Sequence, residues 1–264
     1  MRALRVLTLN IWNRQGPWEQ RLPLIREGIR RLDPDLIGLQ EVLRGNAFEQ
    51  ADLIREGLGY EAAFGTAHDL GGGYLFGNAV LSRWPITASR LFALPTGESD
   101  EHRSMLLAEV SAPAGPLPFF VTHLNWKFHH GIVREAQVQA IAEHVAREAK
   151  SYGLPPILVG DFNAEPDSAE VRFLRGLQSL GGKSTFFGDC FGQVGEGPGY
   201  TFDARRNPFA AGTHEYPRRI DYIFVGLPDG QGRGKPVSAK VVFDELTNGI
   251  AATDHYGVYA EIEM

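Results

Sequence analysis

The residues able to do chemistry in this chain fall in six short clusters, each at the end of an apolar run. Asn10 closes Leu4–Leu9, and Gln40-Glu41 closes Leu36–Leu39. Thr122-His123-Leu124-Asn125 follows Phe119–Val121, and Gly160-Asp161-Phe162-Asn163 follows Ile157–Val159. Asp221 lies just inside Ile220–Val225, and Thr253-Asp254-His255 precedes Gly257–Ile262. The set is rich in carboxylate and carboxamide oxygen and contains no cysteine. Oxygen donors suit a hard dication such as Mg²⁺ or Mn²⁺, which keeps several waters and takes one or two carboxylates plus substrate oxygens. Imidazoles beside such an ion can move protons or bind an anionic transition state. Zinc favours closely spaced Cys and His, and neither Cys-x-x-Cys nor His-Glu-x-x-His occurs. The chemistry that fits is phosphoester hydrolysis. Taken singly, each position has a plainer explanation: Asn10 a turn residue, Glu41 a solvated carboxylate, Asp161 and Asn163 an Asx-turn, His123 a core histidine, Asp254-His255 a helix cap.

These clusters need strands to aim them. Apolar, β-branched runs at Leu4–Leu9, Leu36–Leu39, Ala79–Leu81, Pro118–Val121, Ile157–Val159, Ile220–Val225, Val237–Phe243 and Gly257–Ile262 are bounded by Gly, Pro, Asn or Asp and read as strands. Helical spacing links Leu22, Ile25, Ile29 and Leu32, and again Ala47, Ala51, Ile54 and Leu58. Ile132–Lys150 is the longest helix, and Asp167 with Glu170 reads as a capping box opening a helix over Val171, Leu174 and Leu177. The stretch from Tyr60 to Val121 is strand-rich, with a Pro113–Pro116 turn; Gly192–Gly199 and Gly226–Gly234 read as loops. Strands mixed with helices, without a Pro- or Ser-rich linker, favour one α/β domain over residues 1–264. In such sheets, loops at one end of the strands build the site, so the six clusters converge on one cleft.

Composition narrows the classes further. A chain of 264 residues with 43% hydrophobic and 22% charged residues excludes a disordered, collagen-like or coiled-coil architecture. The single Cys190 rules out an internal disulfide framework. No apolar run approaches a membrane span, and the charged Met1–Asn10 start is no signal-peptide core, so the expected location is cytoplasmic. The net charge of −6 argues against tight non-specific binding to duplex DNA but leaves room for a local basic groove.

The ordered set Leu-Asn (10), Gln-Glu (41), Thr-His-Leu-Asn (125), Gly-Asp-Phe-Asn (163), Ile-Asp-Tyr (with Asp221) and Thr-Asp-His-x-Gly (with His255) resembles the endonuclease/exonuclease/phosphatase superfamily. That group includes deoxyribonuclease I, exonuclease III, inositol polyphosphate phosphatases, sphingomyelinases and deadenylases. The resemblance spans Leu4 to Ile262 in unbroken motif order, and Gly77–Arg83 looks like the family's mid-chain strand. It implies a four-layer α/β/β/α sandwich with two stacked mixed β-sheets. It implies that Glu41 binds Mg²⁺ or Mn²⁺, with Asn10 and Asp254 completing or adjoining its shell. It further implies that Asp161 orients or deprotonates the attacking water and that Asn163 positions that water or the phosphate. His255, held by Asp221, contacts the phosphate or takes a proton, and His123 bonds a phosphate oxygen or assists the leaving group. Arg103 falls where members carry a phosphate-contacting arginine. The family does not settle the general base.

The subfamily signals are mixed. Asp161-Phe-Asn-Ala-Glu-Pro-Asp-Ser168 is similar to deadenylase-like and bacterial members, while the inositol phosphatase pattern and the tyrosine that abasic-site enzymes carry at position 123 are absent. After His123, Asn125 and Trp126-Lys127-Phe128-His129-His130 interleave polar, aromatic and basic groups. Bases could stack on Trp126 or Phe128, or these rings could pack under the next helix. Trp12, Arg14 and Trp18 could line the same mouth, and His214, Tyr216, Arg218 and Arg219 could recognise an anion. The expected partner is a phosphoester substrate, nucleic acid or small phosphodiester, with no stable protein partner implied. A phosphomonoesterase or sphingomyelinase-like enzyme is the second reading, and a non-catalytic binding module on the same scaffold the third.

Overall fold

The computed structural model describes residues 3–264; Met1 and Arg2, part of the N-terminal reading above, lie outside the described residues. Chain order begins β1 (Leu4–Asn10), α1 (Trp18–Leu32), β2 (Leu36–Gly45), the short β3 (Phe48–Glu49) and α2 (Gln50–Arg55). It continues through β4 (Glu61–Gly71), β5 (Tyr74–Ser82), β6 (Ile86–Ala93), β7 (Ser104–Ala112) and β8 (Gly115–His123). Then follow α3 (Gly131–Glu148), β9 (Ile157–Asp161), α4 (Ala169–Leu174), β10 (Gly188–Asp189) and α5 (Cys190–Val194). The last elements are β11 (Asp221–Val225), β12 (Pro236–Val242) and β13 (Gly257–Ile262).

Two sheets result. One runs β12-β13-β1-β2-β5-β4, with β3 beside β2; the other runs β10-β11-β9-β8-β7-β6. Each has a single parallel pair, β1 with β2 and β8 with β9, and is otherwise antiparallel. Both parallel connections cross over through a helix, as parallel strands require. Alternation along the strands divides the apolar residues. Val6, Leu36, Val121, Val159 and Val258 face the gap between the sheets. Leu7, Leu9, Ile37 and Leu39 face Ile25 and Ile29 of α1 and Ile54 of α2, whereas Phe120, Leu158 and Phe224 face α3 and α4. The result is the four-layer α/β/β/α sandwich with two mixed sheets.

Gly38 explains how closely the sheets approach: a Cβ there would lie 2.3 Å from Val159 Cγ2. Three local readings change. The Ala47–Leu58 helix shortens to α2, because Phe48-Glu49 pairs with Gly45 and Arg44 of β2 instead of coiling. The Asp167 capping box does not form; Ser168 occupies the cap position, Glu170 turns to Arg134, and Leu177 lies exposed past the helix end. Gly192 is not loop but lies within α5, where its N–H donates to the Asp189 carboxylate at the helix cap. No helix among the described residues is long and apolar enough to cross a membrane.

Candidate active site

Register alone lines up the chemistry. Asp161 is the cross-strand partner of both His123 and Asp221, so the three side chains form one row across β8, β9 and β11. Gly160 permits this: a Cβ on it would lie 2.0 Å from the carbonyl oxygen of Thr122, so any other residue would push β8 away from β9. Asn10, at the end of β1 in the facing sheet, reaches across the sandwich and donates through Nδ2 to Asp161 Oδ2 at 3.0 Å. The Asp161 carboxylate is fixed from several sides. Its Oδ1 accepts the Asn163 N–H at 2.9 Å, and its Oδ2 lies 3.4 Å from His123 Nε2 and 3.7 Å from His255 Nε2.

The two imidazoles are held in opposite charge states. Burial and the guanidinium of Arg103, whose Nη1 lies 3.0 Å from His123 Nδ1, hold the His123 pKa well below its usual value. With Nδ1 facing an arginine donor, neutral His123 carries its proton on Nε2, toward Asp161. Burial also disfavours charge on His255, but Asp221, Asp161 and Asp254 together outweigh it and raise its pKa well above the usual value. Its Nδ1 bonds Asp221 Oδ2 at 3.0 Å. Asp161 is pushed up to about 6 by burial and by Asp221, against the lowering effect of His255. Asp254 is pushed up to about 7, mainly by burial and further by Glu41, against His255.

Glu41 enters this cleft through an irregular strand. Pairing of β2 with β5 slips between Leu39 and Val42, and Glu41 sits at that bulge with φ 57°. A left-handed, non-glycine residue in a bulge re-aims its side chain at some conformational cost, which is a frequent feature of functional sites. Its Oε1 and Oε2 accept from Asn10 Nδ2 at 3.1 Å and Asn13 Nδ2 at 3.0 Å. Asn10 Oδ1 is taken by the N–H of Trp12, so Asn10 turns its nitrogen, not its oxygen, toward both carboxylates.

The donor set fits a hard dication. Ligand atoms of Asp161, Asp221 and His255 lie within 4.8 Å of one another. Asp221 Oδ1 is buried without a partner among the described residues. A cationic His255 is a poor metal ligand, so the oxygens of Glu41, Asp161 and Asp254 are the better donors. Their mutual repulsion is what a dication would relieve.

Residues 7–255 match the model of the Endonuclease/Exonuclease/phosphatase family. The chain belongs to that family. Its members are phosphoester hydrolases that use divalent metal ions. Carbon catabolite repressor protein 4 homolog 3 of Arabidopsis thaliana is 28% identical over 173 residues, covering 60% of this chain and 35% of that protein. The chain thus spans about a third of that relative's length. A family structure from Beutenbergia cavernae superposes with TM-score 0.74 and 27% identity, over 100% of this chain and 72% of that one. Zebrafish (D. rerio) TDP2, complexed with a single-strand DNA product, shares the fold at TM-score 0.77 and 20% identity, with 99% of each chain covered.

A cavity of about 210 Å³ is lined by Glu41, Arg103, His123, Asp161, Asn163 and His255, and by Trp126, Phe128, Phe202, Thr213, Glu215, Arg218 and Ile220. Trp126 and Phe128 are 55% and 54% exposed, so these rings line the cleft and do not pack under α3. Trp18 is buried against α1's core neighbours, Trp12 packs on Phe209, and Arg219 is locked to Asp189; none of the three lines the cleft. Asn125 also sits behind the wall. Its Nδ2 donates to Ser99 Oγ and Glu101 Oε2, and Oδ1 accepts from the Lys127 N–H. Glu101 in turn receives Arg103 Nη2, so Asn125 steadies the arginine that faces His123.

The Trp126–Phe128 loop is held from below by Arg134 of α3. Its guanidinium donates to the carbonyls of Asn125 and Lys127 and pairs at 2.8 Å with buried Glu170 of α4. A Glu170→Gln protein is expected to lose about 1–3 kcal/mol of stability, the worth of a hydrogen bond to a charged group. Its KM should rise while kcat stays near wild type. Unchanged melting temperature and KM would show that the ion pair does not hold the loop.

Several supporting residues left no signal in the sequence. Arg21 of α1 is fully buried, with no carboxylate at hydrogen-bond distance among the described residues; it donates to the carbonyls of Ile11, Trp12, Asn13, Gln15 and Ala252. It thereby ties the loop after Asn10 to the loop before Asp254. Burial lowers its pKa to about 10, against the fields of Asp254 and Glu41. Thr253 Oγ1 donates to the Asn10 carbonyl, and Thr201 Oγ1 accepts the N–H groups of Ile220 and Asp221.

Proposed function

We propose that this protein is a divalent-metal-dependent phosphodiesterase, cleaving P–O bonds of a nucleic acid or small phosphodiester through water attack. The observation that carries the reading is Asp161 Oδ2, shared by Asn10, His123 and His255 at the floor of a cleft bearing Glu41 and Arg103. Glu41 and Asp254, with Asp161, would hold Mg²⁺ or Mn²⁺, and Asn10 would fix Glu41 in place. Such an ion supplies neutralisation of the phosphate and stabilisation of the leaving oxygen. Asp161 orients the attacking water and draws on its proton, and Asn163 positions water or phosphate beside it. Cationic His255, steadied by Asp221, faces the charge that develops on phosphorus oxygens. Neutral His123 donates its Nε2 proton to a phosphate oxygen or to the leaving group, with Arg103 as a second phosphate contact. Trp126 forms the substrate-facing wall, while Asn125 acts one layer behind it.

The whole chain acts as one domain in this reading, and its place is the cytoplasm, where the single buried thiol of Cys190 needs no partner. The test is hydrolysis of DNA and RNA oligonucleotides and of bis(4-nitrophenyl) phosphate, with Mg²⁺, Mn²⁺ or EDTA. Metal-dependent turnover is expected, and Glu41→Gln should raise the metal concentration for half-maximal rate at least about tenfold. Turnover that persists in EDTA, or absence of turnover on every diester, refutes the reading. One observation favours the lipid-directed alternative: the β4–β5 hairpin extends past Glu41 in register and exposes Leu70 and Tyr74. Cosedimentation with phospholipid vesicles separates the two.

A further inference from the structure

Two arginines line the cleft, and each is nine-tenths buried with an Nε that has no partner among the described residues. Arg103 is 8% exposed and Arg218 is 6% exposed. An orphaned guanidinium N–H is costly in a protein interior, and a cleft that keeps two of them is built for anionic ligands. Arg103 serves the phosphate that faces His123. Arg218 stands elsewhere. It is bridged to Phe202 ahead of β11, whereas Arg103 precedes β7, and β9 and β8 lie between those two strands. Arg103 meets the centre at His123, whereas Arg218 meets it on the His255 side, through Phe202.

Arg218 is also unusually well fixed. Its guanidinium lies over the Phe128 ring at 4.7 Å and over the Phe202 ring at 5.4 Å. Its Nη2 pairs with Glu215, which holds one edge of the fork, while Nε is buried without a partner among the described residues. Phe202 in turn meets the His255 ring edge-on at 5.1 Å. The subsite is therefore joined to the reacting centre through one ring, with the exposed faces of Trp126 and Phe128 beside it. A planar guanidinium clamped between rings keeps its donors aimed and suits phosphate oxygens.

We propose that Arg218, clamped between Phe128 and Phe202, is a second anion subsite that takes a phosphate flanking the scissile one. The enzyme then prefers a single-stranded oligonucleotide, with its run of phosphates and stackable bases, over a lone phosphodiester. This rests on the phosphodiesterase reading and adds the specificity within it.

The test compares Arg218→Met with wild type on a short DNA oligonucleotide, the matching RNA, and bis(4-nitrophenyl) phosphate. The variant is expected to lose about 10- to 100-fold in kcat/KM on the oligonucleotides, chiefly through KM. On the lone diester it should stay within about threefold of wild type. Arg218→Lys, which keeps the charge without the planar fork, should recover part of the loss. Comparison of DNA with RNA assigns the sugar that the subsite admits. Equal losses on all three substrates, or no loss on the oligonucleotides, overturn the proposal. Binding of a 5′-labelled oligonucleotide to Asp161→Asn, with and without Arg218→Met, reads the subsite without turnover. The Met variant should bind about tenfold more weakly, with a salt slope shallower by about 0.7. Unchanged affinity overturns the subsite even if the enzyme is active. Wild type inert on oligonucleotides overturns the phosphodiesterase reading without touching the binding result.

Discussion

Asp161→Asn is expected to lower kcat by about 10³- to 10⁴-fold at pH 8 in Mg²⁺ or Mn²⁺ while the protein stays folded. The size follows from what the carboxylate does in one place. Losing a positioned proton acceptor costs about 10²- to 10⁴-fold. The same oxygen, Oδ2, is the anchor for Asn10 and the neighbour of both imidazoles. An amide keeps the shape and can still accept the Asn163 N–H on one side. On the other it sets one carboxamide N–H against another, that of Asn10, so Glu41 loses part of its alignment as well. Stability should move the opposite way. Burial pushes the Asp161 carboxyl up to about 6, so at pH 8 its charge is held against a preference for the neutral form. Removing that charge relieves a cost on the order of 2 kcal/mol. The metal-free variant should therefore melt at or above the wild-type temperature. Turnover within about tenfold of wild type would remove Asp161 from the centre of the mechanism. A lower melting temperature would mean that the lost activity reports misfolding.

Much of this site is visible in the chain because strand ends are. Asn10, His123, Asp161 and Asp221 each follow or open a run of β-branched residues, and period-two alternation carries them to one end of the sheets. The pairing that sets them side by side is also local in origin, since a glycine at 160 is needed wherever β8 and β9 close in register. Glu41 is a different case. Its aim depends on a bulge opposite Ala79 and Gly77 of a strand that is distant in sequence, and nothing in Leu39-Gln40-Glu41-Val42 announces it. Arg21 is more hidden still. A surface-type side chain on a helix reads as solvated, yet here five backbone carbonyls from two loops close over it. Asn125 misleads in the other direction, because its motif position suggests a substrate contact while its hydrogen bonds go to Ser99 and Glu101. Such buried polar contacts depend on which loops meet, and that is a property of the sandwich, not of any window of sequence.

The second large effect concerns charge and metal together. Metal-free protein should lose stability between pH 6.5 and 8. The Asp254 carboxyl is pushed up to about 7 in the fold against about 3.9 in an unfolded chain, so from about pH 4 until it titrates near pH 7 the native state holds a proton that the unfolded state has released. A raised folded pKa gives stability that is present at low pH and lost as pH rises through the folded value. His255 acts with the same sign, because its folded pKa is raised above the ordinary histidine value. His123 acts with the opposite sign, held neutral in the fold, but its contribution is lost only as pH falls below about 6.5. Nothing in this group therefore opposes the decline above pH 6.5. Most of the Asp254 contribution is already lost between about pH 4 and 6.5, so its share of the fall between pH 6.5 and 8 is about 0.8 kcal/mol, or about 2–3 °C in melting temperature. Mg²⁺ or Mn²⁺ at 100 times its Kd should return about 2.7 kcal/mol, and most strongly above pH 7, where the carboxylates are ionised. Asp254→Asn separates these effects. In EDTA at pH 8 it should melt higher than wild type, and added metal should raise its melting temperature far less. If it melts lower than wild type in EDTA, or gains as much from metal, Asp254 neither carries the buried charge nor helps to hold the ion.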